Sequence, residues 1–450
     1  MKNINNNSLT ESEESLKKII SETLQLAKQS GASQAEAGLT VSEGMSVSAR
    51  MRAVETIEYQ KDNGLGISVY FGQHKGTAST SSLDRDAIRK TVEAACNIAK
   101  YTSEDPCTGL ADAELMASDF SDLDLYHEWN INSKQAIEMA LECEAAALDF
   151  DTKISNSEGA SIELGKGVSV YGNSHGFLQL ERKTRHSISC SVVAQDEQGM
   201  QRDYWYDVNR SPDKLQSVSE IGHRAAQRTI QRLDAKKLKT GKFPVMFVPE
   251  MARGLIGHFN SAISGNAQYR KASFLLDALD TRVFPDFVQL IELPFNKMAL
   301  GSANYDAEGV ATKEQHLIKD GVVQSYLLDS YSARKLGRQT TGHASGVHNL
   351  TLNDTGKDFD ACLKIMDKGL LVTELMGQGV STVTGDYSRG AAGFWVENGV
   401  IQYPVEEITI ASNLKDIFAG IIEIGTDVDY RSNIQCGSIL IDNMMIAGES

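Results

Sequence analysis

The sequence predicts an α+β protein in which an N-terminal α+β region precedes a β-rich C-terminal domain. Apolar residues recur at helical spacing in some segments and alternate with a period of two in others, without a regular strand–helix succession. At Lys239-Thr240-Gly241 the sequence changes to glycine-rich strands and turns, which marks the main boundary. We therefore predict a disordered tail over residues 1–10, an N-terminal domain over 11–239 and a C-terminal domain over 240–450.

A helix begins the first predicted unit, residues 11–105. Thr10 and Glu13 have the spacing of a capping box, and Gly31 is a residue type that ends helices. The apolar stripe between them consists of Leu16, Ile19, Ile20, Leu24 and Ala27. This spacing predicts an amphipathic helix.

Strands and a second helix complete this unit. Alternation of apolar and polar residues predicts strands over 37–49, and a further strand follows over 66–71. The second helix ends before Tyr101, and its apolar face consists of Ile88, Val92, Ala95 and Ile98.

A similar order recurs over residues 130–235, which suggests a duplication. A helix follows Ser133, strands lie around 167–171 and 187–193, and a last helix carries apolar residues at helical spacing: Val218, Ile221, Ala225 and Leu233. The phrases GISVY at 66–70 and GVSVY at 167–171 are alike. Five residues match by chance often enough in strand-rich sequence that coincidence stays an equal alternative.

The C-terminal domain is predicted to be rich in strands, with a helix over 359–368. Asn398-Gly399 indicates a hairpin, because both residues tolerate positive φ. The predicted strands are 245–248, 321–328, 393–396, 408–411 and 436–441.

Composition excludes several classes of ligand and location. The net charge of −16 leaves no basic stripe for phosphates, so we do not expect nucleic acid as a ligand. The six cysteines include no C-x-x-C pair, which argues against a structural zinc site and fits a reducing compartment. No stretch approaches the roughly 18 apolar residues of a membrane span. We expect a cytoplasmic protein without a membrane segment.

Groups for metal or nucleophilic catalysis are sparse. No H-E-x-x-H occurs, and the nine histidines offer one close pair, His343 and His348, in a glycine-containing loop. No acidic residue lies between them, so ordinary histidines bonded to backbone or water are favoured unless the fold supplies a carboxylate. Cys436 precedes an apolar strand and is interpreted as a small buried side chain rather than a nucleophile.

A glycine-dense segment, residues 375–396, reads LMGQGVSTVTGDYSRGAAGFWV. Glycines at this density let another backbone approach closely. Gly385, Asp386, Tyr387 and Arg389 are therefore candidates for binding a partner or a substrate strand, and we add His343 and His348 to these candidates. The alternative is a tight β-meander whose glycines serve only turns.

This segment resembles the PmbA (TldE) branch of the TldD/PmbA family, a peptidase U62-type family. YRKASFL at 269–275, SYSARKLG at 330–337 and RSNIQCGS at 431–438 resemble it as well. The resemblance runs from about Leu16 to the C-terminus. It implies a paired assembly in which a TldD subunit carries zinc on an H-E-x-x-x-H helix and a TldE subunit lies beside it, together cleaving unfolded proteins or peptides.

At the zinc motif the chain departs from the family. Aligning residues 248–260, VPEMARGLIGHFN, with the family helix puts Val248 and Arg253 where the two histidines belong. Neither side chain ligates zinc, and Pro249 stands where the general-base glutamate belongs. The resemblance thus implies a non-catalytic subunit that binds no cofactor itself, with zinc expected in the TldD partner.

Two other functions stay open. The first is a self-sufficient metallopeptidase that uses His343, His348 and a distant carboxylate. The second is a regulatory protein of the kind implied by the name "modulator of DNA gyrase", which the family also carries.

Overall fold

The computed structural model describes residues 12–448. Thr10 of the predicted capping box and the predicted tail, residues 1–10, lie outside the described residues. Within the described range helices mix with antiparallel and parallel strands, which confirms the α+β class.

One six-stranded antiparallel sheet and four α-helices form the N-terminal part of the described chain. These elements are α1 (Glu13–Gln29), β1 (Gln34–Arg50), β2 (Ala53–Phe71), β3 (His74–Thr80), α2 (Arg85–Tyr101), α3 (Ser133–Leu148), β4 (Ile154–Asn173), β5 (Leu178–Gln195), β6 (Met200–Asn209) and α4 (Val218–Gln231). The strand order is β3-β2-β1-β4-β5-β6, so β1 and β4 pair at the centre.

The order helix, three strands, helix occurs twice along this part of the chain. The similar phrases that suggested a duplication do not occupy equivalent places, however. Residues 66–70 lie in β2, the second strand of the first unit, whereas 167–171 lie in β4, the first strand of the second unit. The repeated architecture therefore supports a duplication better than the phrases do.

Two details of the helices differ from the sequence prediction. Ser12, whose hydroxyl accepts from the Ser15 amide at 3.2 Å, caps α1. Ile98 is 46% exposed, whereas Ile88, Val92 and Ala95 are buried. Ala99 takes the expected place of Ile98 in the core, because it lies four residues after Ala95 on the buried face.

The C-terminal part contains a five-stranded and a six-stranded sheet. Its elements are β7 (Gly241–Phe247), α5 (Pro249–Ala262), α6 (Gly265–Tyr269), β8 (Leu290–Glu292), β9 (Gln315–Lys319), β10 (Val322–Val323), α7 (Ser330–Lys335), β11 (Leu350–Leu352), α8 (Phe359–Met366), β12 (Gly369–Met376), β13 (Asp386–Glu397), β14 (Val400–Asn413), α9 (Leu414–Ala419), β15 (Ile421–Ile424), β16 (Ile434–Gln435) and β17 (Ile439–Ala447). The sheet orders are β10-β9-β8-β11-β16 and β14-β13-β12-β7-β17-β15.

A large apolar core joins these two sheets through α5, α9 and the strands that flank them. Phe259 of α5 packs edge-on against Phe284, and Phe284 stacks on Phe418 with ring centroids 4.8 Å apart. The predicted hairpin joins β13 to β14, with Asn398 and Gly399 at φ 54° and 69°. The predicted strand over 321–328 is wrong beyond Val323, because the following residues form loop.

Arg210 ties the N-terminal part to the C-terminal part. Its guanidinium donates to the carbonyl oxygens of Thr184, Ala299 and Leu300 at 3.0, 3.1 and 2.8 Å. These bonds place the end of β6 beside the C-terminal part. None of the helices within residues 12–448 is both long and apolar enough to cross a bilayer.

Candidate functional site

A cleft of about 790 Å³ lies where the N-terminal sheet meets the beginning of α5. One wall comes from β6 and α4, which contribute Trp205 and Arg224. The other wall comes from the turn between β7 and α5 and from the loop before β16, which contributes Arg431. Val248 and Pro249, which align with the first two residues of the family's zinc motif, thus line this cleft.

The two residues aligned with the family's histidines, Val248 and Arg253, lie at different places along α5. Val248 is the N-cap residue of α5, and Pro249 is its first residue. Arg253 lies one turn into the helix, and its Nη1 is 3.6 Å from Asp429 Oδ2. A valine side chain has no ligand atom and a guanidinium has no lone pair for a metal, so these residues do not fit zinc.

Arg431 completes an ionic network at the same place. Its Nε donates to Asp429 Oδ1 at 2.8 Å, and its Nη2 donates to Glu250 Oε1 at 3.0 Å. Its Nη1 donates to the Tyr206 carbonyl oxygen at 2.9 Å. The guanidinium groups of Arg253 and Arg431 therefore supply fixed positive charge where the motif alignment would place a metal ion.

Cys436 is buried beneath this network. Its sulfur lies 3.9 Å from the Pro249 carbonyl oxygen, and the side chain belongs to the C-terminal core. Burial raises the pKa of the Cys436 thiol, so the sulfur stays protonated at neutral pH. The residue behaves as a small core side chain.

The fold supplies the carboxylate that the His343 and His348 pair lacked in sequence. Glu292, the last residue of β8, accepts from His343 Nε2 at 2.8 Å and from His348 Nδ1 at 3.1 Å. It also accepts from the His348 amide at 2.7 Å and from Gln315 Nε2 at 3.0 Å. Both histidines and Glu292 are buried, so they are removed from any substrate surface.

This network orients both imidazoles. His343 donates from Nε2 to Glu292, and its Nδ1 lies 2.8 Å from the Thr341 hydroxyl oxygen. His348 donates from Nδ1, which leaves its buried Nε2 without a partner in the described chain. Burial alone would raise the pKa of Glu292, but the hydrogen bonds from the two histidines outweigh it and hold the pKa well below its ordinary value.

The same three residues are the group that could hold a metal within residues 12–448, with ligand atoms within 4.8 Å of one another. A catalytic zinc needs an open position for water or substrate. Here the side chains of His343, Glu292 and His348 are 0%, 1% and 5% exposed, and four donors already fill the carboxylate. The cluster is therefore built as a closed hydrogen-bonded network.

The glycine-dense segment forms the end of β12, a loop over 377–385 and β13. Tyr387 is 1% exposed and packs against His258, so its side chain cannot contact a partner. Asp386 is exposed, and Arg389 is partly exposed. Gly385 has φ 82°, and a Cβ there would lie 2.8 Å from Asn413 Oδ1. β13 is paired on both sides, with β14 and with β12 and the loop before it, so the segment combines exposed side chains with turns that require glycine.

The chain matches family domains over most of its length. Residues 35–99 match PmbA/TldA metallopeptidase domain 1, 126–233 match the central domain and 240–448 match the C-terminal domain. The chain belongs to the PmbA/TldD family. A Haemophilus influenzae protein named metalloprotease PmbA homolog is 50% identical, and the alignment covers 97% of each chain.

Solved structures share the PmbA/TldD fold. A Bacteroides thetaiotaomicron protein named as a modulator of DNA gyrase superposes with a TM-score of 0.92 at 27% identity, covering 97% of this chain and 99% of that one. TldE from Thermococcus kodakarensis superposes with a TM-score of 0.82 at 18% identity, covering 96% and 100% of the two chains, which shows the fold alone.

Sequence reasoning missed the residues that line the cleft opposite α5. Trp205 and Arg224 belong to the N-terminal part, and no motif links them to the C-terminal part. Arg431 lies within a phrase that resembles the PmbA/TldD family, but its ion pairs depend on chain segments far apart in sequence. Glu292 could be found only by knowing that β8 lies beside the histidine loop.

Proposed function

We propose that this chain is the PmbA/TldE-type subunit of a cytoplasmic, two-subunit TldD/TldE metallopeptidase. In this proposal the zinc belongs to a TldD homologue, and this subunit binds none for catalysis. It helps to form the channel for unfolded proteins or peptides and keeps the partner's site in its active arrangement.

One observation carries the proposal: Val248 and Arg253 stand at the expected ligand positions, and Arg253 is paired with Asp429. A guanidinium has no lone pair to offer a metal, so Arg253, held beside the buried Asp429 carboxylate, cannot take the place of a histidine ligand. The fold around it is that of the family, so binding and assembly are the roles left for this surface. The exposed Asp386 carboxylate and the partly exposed Arg389 guanidinium offer side-chain hydrogen bonds to a partner or to an extended peptide.

Reconstitution tests the proposal. The chain is purified alone and with its TldD homologue, and mass, zinc content and cleavage of an unfolded substrate are measured. We expect cleavage in the mixture, dependent on the partner's zinc, and none from this chain alone. Chelator-sensitive cleavage by this chain alone, at a rate that the partner does not raise, would contradict the proposal.

Substitutions distinguish the role of the surface around Asp386 and Arg389 from that of the motif positions Val248 and Arg253. Replacing Asp386 and Arg389 by Ala should weaken assembly or cleavage, whereas Glu314→Ala, at an exposed position, is the matched control. Replacing Val248 and Arg253 by His should create no activity, because Pro249 stands in place of the general base.

The self-sufficient metallopeptidase is the second candidate, since Glu292 supplies the carboxylate beside His343 and His348. One zinc per isolated chain, lost in His343→Ala, would favour it. A regulatory role is the third candidate, and capture of a specific partner in cells that lack the TldD homologue would favour that role.

A further inference from the structure

Two basic side chains of the cleft make no ion pair within the described part of the chain. Arg224 and Arg228 on α4 and Arg232 at its C-cap follow one another at four-residue spacing, so they share the face that lines the cleft. Arg228 and Arg232 lie 3.3 and 3.7 Å from Asp203 Oδ2. Arg224 and Lys214 have no ion-pair partner among residues 12–448, and both are exposed to the cleft.

The acids of the cleft are already engaged. Asp207 accepts from the Val208 and Gln216 amides at 2.9 and 2.8 Å. Asp427 accepts from the Ser438 amide and hydroxyl at 2.9 and 2.7 Å. Asp203, Asp429 and Glu250 pair with other arginines, and no described carboxylate lies within ion-pair distance of Arg224. The lining has five acidic and five basic side chains, so Arg224 is distinguished by its missing partner and not by a net positive charge of the cleft.

Trp205 holds the Arg224 guanidinium in place. The guanidinium carbon lies 4.8 Å from the indole centroid, and Arg431 lies 4.1 Å from the same ring. The indole Nε1 donates to Gln216 at 3.2 Å, which fixes the ring. A guanidinium that contacts a ring through its face keeps its N–H edge free for the two oxygens of a carboxylate.

The other wall contributes the N-terminus of a helix. Val248 and Pro249, at the N-terminus of the 14-residue helix α5, line the cleft. Val248 provides no side-chain cap, and this end of a helix carries partial positive charge. The volume of about 790 Å³ falls in the range of sites that enclose small ligands.

We propose that this cleft binds a peptide through a carboxylate, with Arg224 as its bidentate partner and Lys214 at the entrance. The carboxylate is the C-terminus of an extended peptide or an acidic side chain within it. This inference rests on the proposed function, since it names the group by which the subunit would hold a substrate. It concerns the isolated chain, so it is tested without the TldD homologue.

The test is calorimetric titration of the full-length chain with N-acetylated tetra-alanine. One peptide has a free C-terminal carboxylate, a second has a C-terminal amide, and a third has the amide and one internal glutamate. We expect the fully neutral peptide to bind at least about tenfold more weakly than a carboxylate-bearing one. The comparison of the first and third peptides identifies which source of carboxylate the cleft prefers.

Variants locate the site. Arg224→Ala should weaken binding of the carboxylate peptide at least about tenfold, and Arg224→Lys should recover part of it because charge remains without the planar fork. Arg85→Ala, on α2 outside the cleft, is the matched control and should bind as the wild type does. Circular dichroism checks that each variant is folded.

Two results would overturn the inference. The first is equal affinity for the neutral and carboxylate peptides. The second is unchanged affinity in a folded Arg224→Ala variant. Because zinc and the partner are absent from this titration, cleavage by the reconstituted pair could still be observed while this inference fails.

Discussion

Replacing Glu292 by Gln isolates the contribution of the buried His343–Glu292–His348 network. The carboxylate accepts hydrogen bonds from four donors, two of them imidazole N–H groups. A glutamine keeps one acceptor oxygen for some of these donors. Its amide N–H group faces the remaining donors. A change of tautomer lets one histidine accept from that group, so at least one buried donor loses its partner.

We expect Glu292→Gln to lower the free energy of unfolding by about 2–4 kcal/mol, since an unsatisfied buried donor costs about 1–3 kcal/mol and lost bonds to a charged acceptor add to that. For a domain of this size the melting temperature would fall by roughly 2–4 °C per kcal/mol. Scanning calorimetry measures the melting temperature, with Glu314→Gln as the control at an exposed position.

An unchanged melting temperature would refute this reasoning. The same assay, repeated with zinc and with a chelator, distinguishes a metal site from a purely hydrogen-bonded network. If the three side chains hold a metal, added zinc raises the wild-type melting temperature and has no effect on Glu292→Gln. If they form only hydrogen bonds, zinc changes neither protein.

The remaining predictions concern stability and are measured by urea unfolding. Gly385→Val should cost about 1–3 kcal/mol, because φ is positive and the new Cβ would meet Asn413, whereas Gly377→Ala, which also has positive φ but open space around it, should cost less. Glu144→Gln should cost about 1–3 kcal/mol, because the buried carboxylate accepts from the Met51 and Arg52 amides, both at 2.7 Å. Tyr387→Phe should be neutral or stabilise the protein by about 1 kcal/mol, because its buried hydroxyl has no partner among the described residues. Because the folded-state pKa of Glu292 is depressed, its stabilising contribution is present above its unfolded-state pKa of about 4.3 and is lost as the pH falls below it. The loss of stability between about pH 5 and pH 3 should therefore be smaller in Glu292→Gln than in the wild type.

Local patterns predicted the helices and the long strands, because burial of one face sets the period of apolar residues. The prediction failed for residues whose side chains could face either the core or the solvent. Ile98 fits the helical stripe but faces solvent, and Tyr387 looks like a surface residue among glycines but lies in the core. For such residues the decisive neighbours come from other parts of the chain.

The candidate site could be predicted only in part for the same reason. The presence of Val248 and Arg253 at the aligned motif positions can be read from the sequence, because the motif is continuous. Glu292 lies 51 residues before His343, and the Tyr206 carbonyl that Arg431 contacts lies 225 residues before it. Only the folded chain brings these groups together.

The bonds that Arg210 and Arg431 make across the cleft region have a mechanical consequence. Arg210 joins the β5 carbonyl of Thr184 to Leu300, and Arg431 joins the β6 carbonyl of Tyr206 to Glu250. Opening the cleft would break several charge-assisted hydrogen bonds at once, so its width is set before a ligand arrives. A cleft whose walls are joined in this way loses little conformational entropy when a ligand binds.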